Sequence, residues 1–195
     1  MMPTDAHDGT HGGRLFVVSA PSGAGKTTLC QAARKHLPYL VYSVSSTTRA
    51  PRKGEQDGKD YFFISPAQFR EGIDKGQWAE WARVHDNYYG TSAQFIEDHL
   101  HAGRDVLLDI DVQGARQIMQ RYPDAVTIFI MAPSMAVLRR RLSARGLDSD
   151  TVIAKRMQNA AAEIAHQGMY RHKLVNADLD TAITQFVTIL SGEAG

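Results

Sequence analysis

The fold of this chain follows from one stretch, Arg14-Leu-Phe-Val-Val-Ser-Ala20-Pro-Ser-Gly-Ala-Gly-Lys26-Thr27. Its first half is a short β-branched and aromatic run, which predicts a buried strand, and Pro21-Ser22-Gly23 predicts a tight turn directly after it. Apolar residues then recur at helical spacing from Lys26 to Leu37, and Pro38 ends that pattern. The stretch therefore predicts a strand–loop–helix unit.

The turn between that strand and helix matches a phosphate-binding loop. The segment Ala20–Thr27 fits the pattern G-x-x-x-x-G-K-[ST] at its last three defined positions and departs at the first, which is alanine here. In such a loop, Gly23 and Gly25 let backbone N–H groups curl around phosphate oxygens at a helix N-terminus. Lys26 supplies a mobile cation, and Thr27 offers a hydroxyl to Mg²⁺. The alternative is an ordinary glycine turn, but strand, glycines, Lys-Thr and helix all occur in register.

The rest of the chain alternates apolar strands with helical patterns. This alternation is typical of a parallel sheet covered by helices on both faces, so we expect a three-layer α/β sandwich. The predicted elements are strands at 105–111, 125–132 and 173–177 and helices at 112–122, 135–145 and 179–190.

Two segments depart from this alternation of strands and helices. The segment Thr47–Ser92 is rich in Gly, Pro, aromatic residues and turn signals, which predicts a small strand-rich insertion with a short helix starting at Ser65-Pro66 and ending at Gly76. The segment Arg139–Arg156 is rich in arginine, and Ser149 or Asp150 predicts the cap of a long helix that runs to about residue 169.

The composition excludes several classes of protein. Lys plus Arg number 22 against 21 Asp plus Glu, a net charge of +1, which is too balanced for a protein that coats nucleic acid or an anionic membrane. No run approaches the ~18 apolar residues that span a bilayer. The single cysteine, Cys30, favours a reducing, cytoplasmic compartment. Both a monomer and a homo-oligomer remain open.

Four motifs together resemble the guanylate kinases: Ala20-Pro-Ser-Gly-Ala-Gly-Lys26, Ser43-Val-Ser-Ser-Thr-Thr-Arg49-Ala-Pro-Arg52, Asn87-Tyr-Tyr-Gly-Thr91 and Leu108-Asp-Ile-Asp-Val-Gln-Gly114. The resemblance covers about Arg14 to Asp180, and the family's phosphate loop commonly has alanine at its first position. It implies a P-loop nucleoside monophosphate kinase that transfers a phosphoryl group from ATP to GMP, and to dGMP as well, with Mg²⁺.

The resemblance also divides the chain into parts. We expect a disordered tail at 1–13, a core at 14–44, 97–136 and 162–195, a GMP-binding insertion at 45–96, and a helical lid at 137–161. The residues expected to hold ATP phosphates are Ser22, Gly23, Ala24, Gly25, Lys26, Thr27 and Thr28.

The GMP phosphate requires cations and hydroxyls. Arg49 and Arg52 can present planar forks to phosphate, and the resemblance implies that these two arginines bind the GMP phosphate together with Tyr61 and Tyr89. From the residues alone, a solvated Arg-Ala-Pro-Arg loop and a core-packed Tyr-Tyr pair are equally open.

Guanine presents an N–H and an amino group on one edge, so carboxylates select it by accepting hydrogen bonds. Glu80 and Asp111 suit that task, and Ser45 and Thr91 match family positions that bond the guanine oxygen. By itself, Glu80 in Trp78-Ala-Glu80-Trp81 would be taken for an exposed polar residue.

Asp109 and Asp111 follow an apolar strand at its carboxyl edge, where ligands of open α/β sheets bind. Because alternate residues of a strand share a face, the two carboxylates should point the same way. Their burial requires a partner such as Mg²⁺ water, Lys26 or a nucleotide N–H. We assign Asp109, with Thr27, to the Mg²⁺ site.

The arginine-rich segment is the candidate lid. Arg141 and Arg145 lie four residues apart and so share a helical face. Any single arginine here would by default be solvated surface, but by resemblance these two and Arg156 match lid or catalytic arginines. With Lys26 and Arg49 they form the predicted catalytic set.

Two rival functions remain open. One is a kinase of the same fold that acts on another small molecule, such as a phosphorylated sugar. The other is a non-catalytic guanylate-kinase-like module, against which the presence of Lys26, Arg49 and Asp109 argues. The family often has Asn-Asp where this chain has Asn176-Ala177, which leaves the adenine side of the site least defined.

Overall fold

The computed structural model of this chain describes residues 12–84, 86–144 and 149–192. The predicted lid residue Arg145 and most of the predicted tail lie outside the described residues. Among the helices in the described part of the chain, none is long and apolar enough to cross a membrane.

The elements alternate along the chain much as the sequence predicts. The strands are β1 Leu15–Ser19, β2 Val41–Tyr42, β3 Ser46–Thr47, β4 Phe62–Phe63, β5 Trp78–Val84, β6 Asn87–Ser92, β7 Val106–Asp109, β8 Val126–Met131 and β9 His172–Val175. The helices are α1 Lys26–His36, α2 Pro66–Asp74, α3 Ala93–His101, α4 Val112–Arg121, α5 Met135–Ser143, α6 Asp150–Ile164 and α7 Leu179–Ser191, with a short 3₁₀ turn at Gln167–Met169.

The core is a five-stranded sheet in the order β2-β7-β1-β8-β9, in which every neighbouring pair is parallel. All five residues of β1 are buried, as expected for a strand covered on both faces. On one face, Phe16 packs with residues of α1 and α7, and on the other Val17 packs with residues of α3 and α4. The predicted three-layer α/β architecture is confirmed.

A second, four-stranded sheet lies within the segment that interrupts the alternation. Its order is β4-β3-β6-β5, with antiparallel pairs around β6 and a parallel β3–β4 pair. Helix α2 begins where predicted because Ser65 and Gln68 form a reciprocal capping box. The chain leaves this helix through Gly76, whose φ of +64° suits glycine.

Two predicted boundaries are wrong in informative ways. The strand expected to reach Asp111 ends at Asp109, because the Asp111 carboxylate instead accepts from the N–H of Gly114 and caps α4. The long helix expected to reach residue 169 ends at Ile164. Its cap is Ser149, whose hydroxyl accepts from the N–H of Val152.

Candidate active site

A cavity of about 380 Å³ opens beyond the carboxyl ends of the parallel strands, between the two sheets. It brings together predicted residues from both parts of the chain. Those from the core are Lys26, Thr27, Asp109 and Asp111, and those from the segment of the second sheet are Ser45, Tyr61, Glu80 and Tyr89.

The phosphate loop links β1 to α1 and is shaped by two glycines. Gly23 and Gly25 have φ values of +90° and +100°, which side chains rarely adopt. A Cβ on Gly25 would lie 2.2 Å from Nδ2 of Asn176. That buried amide donates to the carbonyl of Ala24 at 2.8 Å and so holds the loop on the side away from the cavity. On the other side, the N-terminus of α1 points toward the cavity.

Lys26 and Asp109 form an ion pair at the cavity wall. Burial lowers the pKa of Lys26, whereas the neighbouring Cys30, Asp111 and Glu163 oppose this shift. The other Asp109 oxygen accepts from the hydroxyl of Tyr42 at 3.3 Å. Thr27 lines the same cavity, so a carboxylate and a hydroxyl stand on one wall, and oxygen donors of this kind suit Mg²⁺.

Within the described ranges, no three His, Cys, Asp or Glu side chains converge on one point. Mg²⁺ does not require such a cluster, because it is typically held by one or two protein oxygens together with substrate phosphates and waters.

Glu80 is buried rather than exposed, which overturns the interpretation of its segment taken alone. Its side chain comes from β5, only 5% of the residue is exposed, and its Oε1 accepts from the Thr91 hydroxyl at 2.6 Å. Burial raises the pKa of Glu80 to about 7, and the neighbouring charge of Asp111 adds to this, whereas the bond from Thr91 opposes it. The hydroxyl of Thr91 thus donates its hydrogen bond to Glu80, and Thr91 does not line the cavity.

Arg49 is held by a carboxylate that the sequence analysis missed. Its guanidinium donates to both oxygens of Glu55 at 2.9 Å and lies 5.4 Å from the ring centroid of Tyr61. Tyr61 in turn meets Tyr89 edge to face. The backbone N–H of Arg52 also donates to Glu55, at 2.6 Å. The sequence signal that could have identified Glu55 is an acidic residue shortly after two arginines in one loop.

Arg141 and Arg156, the predicted lid arginines that the structure describes, do not line this cavity. Arg141 in α5 donates to the carbonyls of Asn176 at 2.9 Å and Ala24 at 3.5 Å, which places it against the back of the phosphate loop. Arg156 lies in α6 and is half-buried.

A smaller cavity of about 210 Å³ adjoins the first and shares Asp111 with it. Its other wall carries Glu163 from α6, a half-buried carboxylate that sequence reasoning also missed. Burial raises the pKa of Glu163, and Asp111 raises it further, whereas Lys26 lowers it. The charges of Glu163 and Lys26 are therefore coupled across the end of the sheet.

Comparisons with known proteins show which family this chain resembles. The family model described as guanylate kinase matches residues 12–193. The guanylate kinase of Geobacter metallireducens is 50% identical over 181 residues, covering 93% of this chain and 89% of the relative. That of Carboxydothermus hydrogenoformans is 47% identical over 183 residues, covering 94% and 90%. The crystal structure of guanylate kinase from Anaplasma phagocytophilum superposes with a TM-score of 0.75 at 38% identity, covering 94% of this chain and 87% of that one.

Proposed function

The chain belongs to the guanylate kinase family of nucleoside monophosphate kinases, which phosphorylate GMP with ATP, and we propose that its residues carry out this transfer in the cavity between the two sheets. The observation that carries the proposal is that Lys26 of the phosphate loop and the buried Glu80 line one cavity. A phosphate cation and a guanine-selecting carboxylate are thereby positioned for two substrates that react with each other.

We assign the ATP phosphates to the loop 22–28, from Ser22 to Thr28. The left-handed glycines direct backbone N–H groups toward an anion at the start of α1, and Lys26 adds a full positive charge. Thr27 and Asp109 would hold Mg²⁺, which when bound neutralises phosphate charge that builds up during transfer. ATP binding would draw Lys26 from Asp109 toward the phosphates.

The GMP phosphate is assigned to Arg49, Arg52, Tyr61 and Tyr89. The ion pair with Glu55 holds Arg49 beside Tyr61, and the rings of Tyr61 and Tyr89, which meet edge to face, border the cavity. Charge-assisted hydrogen bonds from arginine favour a phosphate over neutral groups.

The guanine base is assigned to Glu80, Asp111 and Ser45. The side-chain oxygens of Glu80 and Asp111 accept from the guanine N–H and amino groups, whereas adenine would leave these acceptors unpaired. Thr91 acts through Glu80, because its hydroxyl orients that carboxylate at 2.6 Å.

The reaction requires no nucleophile from the protein. A phosphate oxygen of GMP attacks the γ-phosphorus of ATP, a new P–O bond forms, and the bond to the bridging oxygen breaks to release ADP. Lys26 and Arg49 stabilise the charge on the transferring group. We propose that the lid 137–161, with Arg141, Arg145 and Arg156, and the insertion 45–96 close over the nucleotides and exclude water. The reducing environment suggested by the single, buried and unpaired Cys30 fits a cytoplasmic site of action.

Turnover with GMP, dGMP, AMP, UMP and ribose 5-phosphate, followed through ADP formation, tests this assignment. We expect GMP and dGMP to be the preferred substrates. Equal rates with the substrates that lack guanine would contradict the assignment. Lys26→Met should abolish transfer while GMP still binds in a calorimetric titration. Unchanged turnover in this variant would refute the role of Lys26.

A further inference from the structure

We propose that Gly114, the third residue of α4, is a specificity-determining residue that sets the relative position of Glu80 and Asp111. It does so by donating its N–H to one carboxylate and by leaving room for the other. The inference rests on the proposed function, in which these two carboxylates read guanine.

The first contact fixes Asp111. The Oδ1 atom of this residue accepts from the N–H of Gly114 at 2.8 Å, and Asp111 itself has extended backbone angles as the cap of α4. A carboxylate tied down through one oxygen keeps the second for a ligand, and Asp111 lines the cavity. Its direction is thus set by the first turn of α4.

The second contact concerns Glu80. A Cβ built on Gly114 would lie 2.4 Å from Oε2 and 2.9 Å from Cδ of this side chain, closer than real Cβ atoms come to other atoms. Glu80 has little freedom to retreat, since it is almost fully buried and its Oε1 is held by Thr91 at 2.6 Å. Any side chain at position 114 must therefore displace the carboxylate.

The backbone gives no other reason for glycine at this position. Gly114 lies inside α4 and is not among the glycines with positive φ. Glycine in a helix interior costs about 1 kcal/mol relative to alanine, so alanine would favour the helix. The contact with Glu80 is the feature of this site that alanine would disrupt.

Displacing Glu80 should change which base the enzyme prefers. IMP differs from GMP only in lacking the 2-amino group, so the ratio of kcat/KM for GMP to that for IMP measures how well the carboxylates accept from that edge. A hydrogen bond to a charged group contributes about 10-fold to 100-fold in binding. We expect Gly114→Ala to lower the GMP/IMP ratio by about 10-fold or more.

The matched control is Gly72→Ala. Gly72 is also a buried glycine within a helix, and a Cβ there would meet the indole of Trp78 at 2.7 Å instead of a carboxylate. This variant should lower the melting temperature and leave the GMP/IMP ratio unchanged. An effect of Gly114→Ala on the ratio that Gly72→Ala does not share separates specificity from general destabilisation.

Two further variants decide between the possible failures. If Glu80→Gln does not alter the GMP/IMP ratio, the proposed reading of guanine by Glu80 is itself wrong. If Glu80→Gln lowers the ratio and Gly114→Ala does not, the inference about Gly114 alone is overturned. If Gly114→Ala does not fold, the double variant Gly114→Ala/Glu80→Ala should restore folding because the clash is removed, and absence of rescue would overturn the inference.

Discussion

Arg49 and Glu55 are joined by two hydrogen bonds of 2.9 Å, so the arginine assigned to the GMP phosphate is held by a carboxylate of its own loop. The Nη1 atom of Arg49, which donates one of these two bonds, also donates to the carbonyl of Ala50 at 2.8 Å. Tyr89, which is assigned to the same phosphate, is a further side-chain partner of this arginine. Glu55 is thereby a positioning residue for Arg49.

Replacing Glu55 by glutamine should therefore weaken GMP binding. The amide cannot accept both bonds from Arg49, and we expect the KM for GMP to rise by roughly 10-fold with a smaller change in the KM for ATP. Steady-state kinetics with each substrate varied in turn measure both constants.

The control for this variant is Glu71→Gln, which removes an exposed ion pair with Lys75 on α2. Exposed pairs contribute little, so its kinetics should match those of the unaltered protein. A lower KM for GMP in Glu55→Gln would mean that Glu55 merely competes with the phosphate.

The pKa of Glu80 predicts that GMP binding depends on pH. Guanine donates hydrogen bonds to this carboxylate, which must be ionised to accept them fully, and burial has raised its pKa to about 7. GMP affinity should be highest above pH 7 and fall as the pH drops below it, with proton release on binding. Calorimetry from pH 6 to 8 measures both effects.

The GMP phosphate also titrates near pH 6, so Glu80→Gln is the reference. Only the part of the pH dependence that disappears in this variant belongs to Glu80. An identical pH profile in both proteins would show that Glu80 does not titrate in this range.

The same group affects stability without ligand. Because the pKa of Glu80 is raised from 4.5 to about 7, the folded protein holds a proton that the unfolded chain has already released between those values. The stability that this protonation contributes to the folded state is fully present below pH 4.5 and is lost as the pH rises through 7. The free energy of unfolding of Glu80→Gln, relative to that of the unaltered protein, should therefore rise by roughly 2 kcal/mol between pH 5 and pH 8. Chemical denaturation at both pH values checks this, and a pH-independent difference would contradict it.

Asn176 is predicted to support the phosphate loop. Removing its amide with Asn176→Ala leaves the carbonyl of Ala24 without this buried donor, which costs about 1–3 kcal/mol. We expect the KM for ATP to rise by about 10-fold while the affinity for GMP is unchanged. The exposed Gln185→Ala on α7 serves as the control. A KM for ATP that stays constant would indicate that the loop is rigid without Asn176.

Local sequence predicted the strand–loop–helix unit correctly, because its signals lie within a few residues of one another. The turn glycines and the apolar spacing of α1 are readable from neighbours in the chain, as is the start of α2 at Ser65-Pro66. The end of β7 was less readable, since Asp111 suits both a strand and a helix cap and the choice depended on the N–H of Gly114.

By itself, then, the sequence determined the α/β class, the phosphate loop and the residue types that suit a guanine nucleotide. Only the tertiary structure decided that Glu80 is buried against Gly114, and that Asn176 supports a loop 152 residues earlier. It also decided that Arg141 lies behind that loop instead of along the cavity wall. The physical reason is that burial and pairing arise where distant segments meet, and no local pattern records the electrostatic environment that this meeting creates.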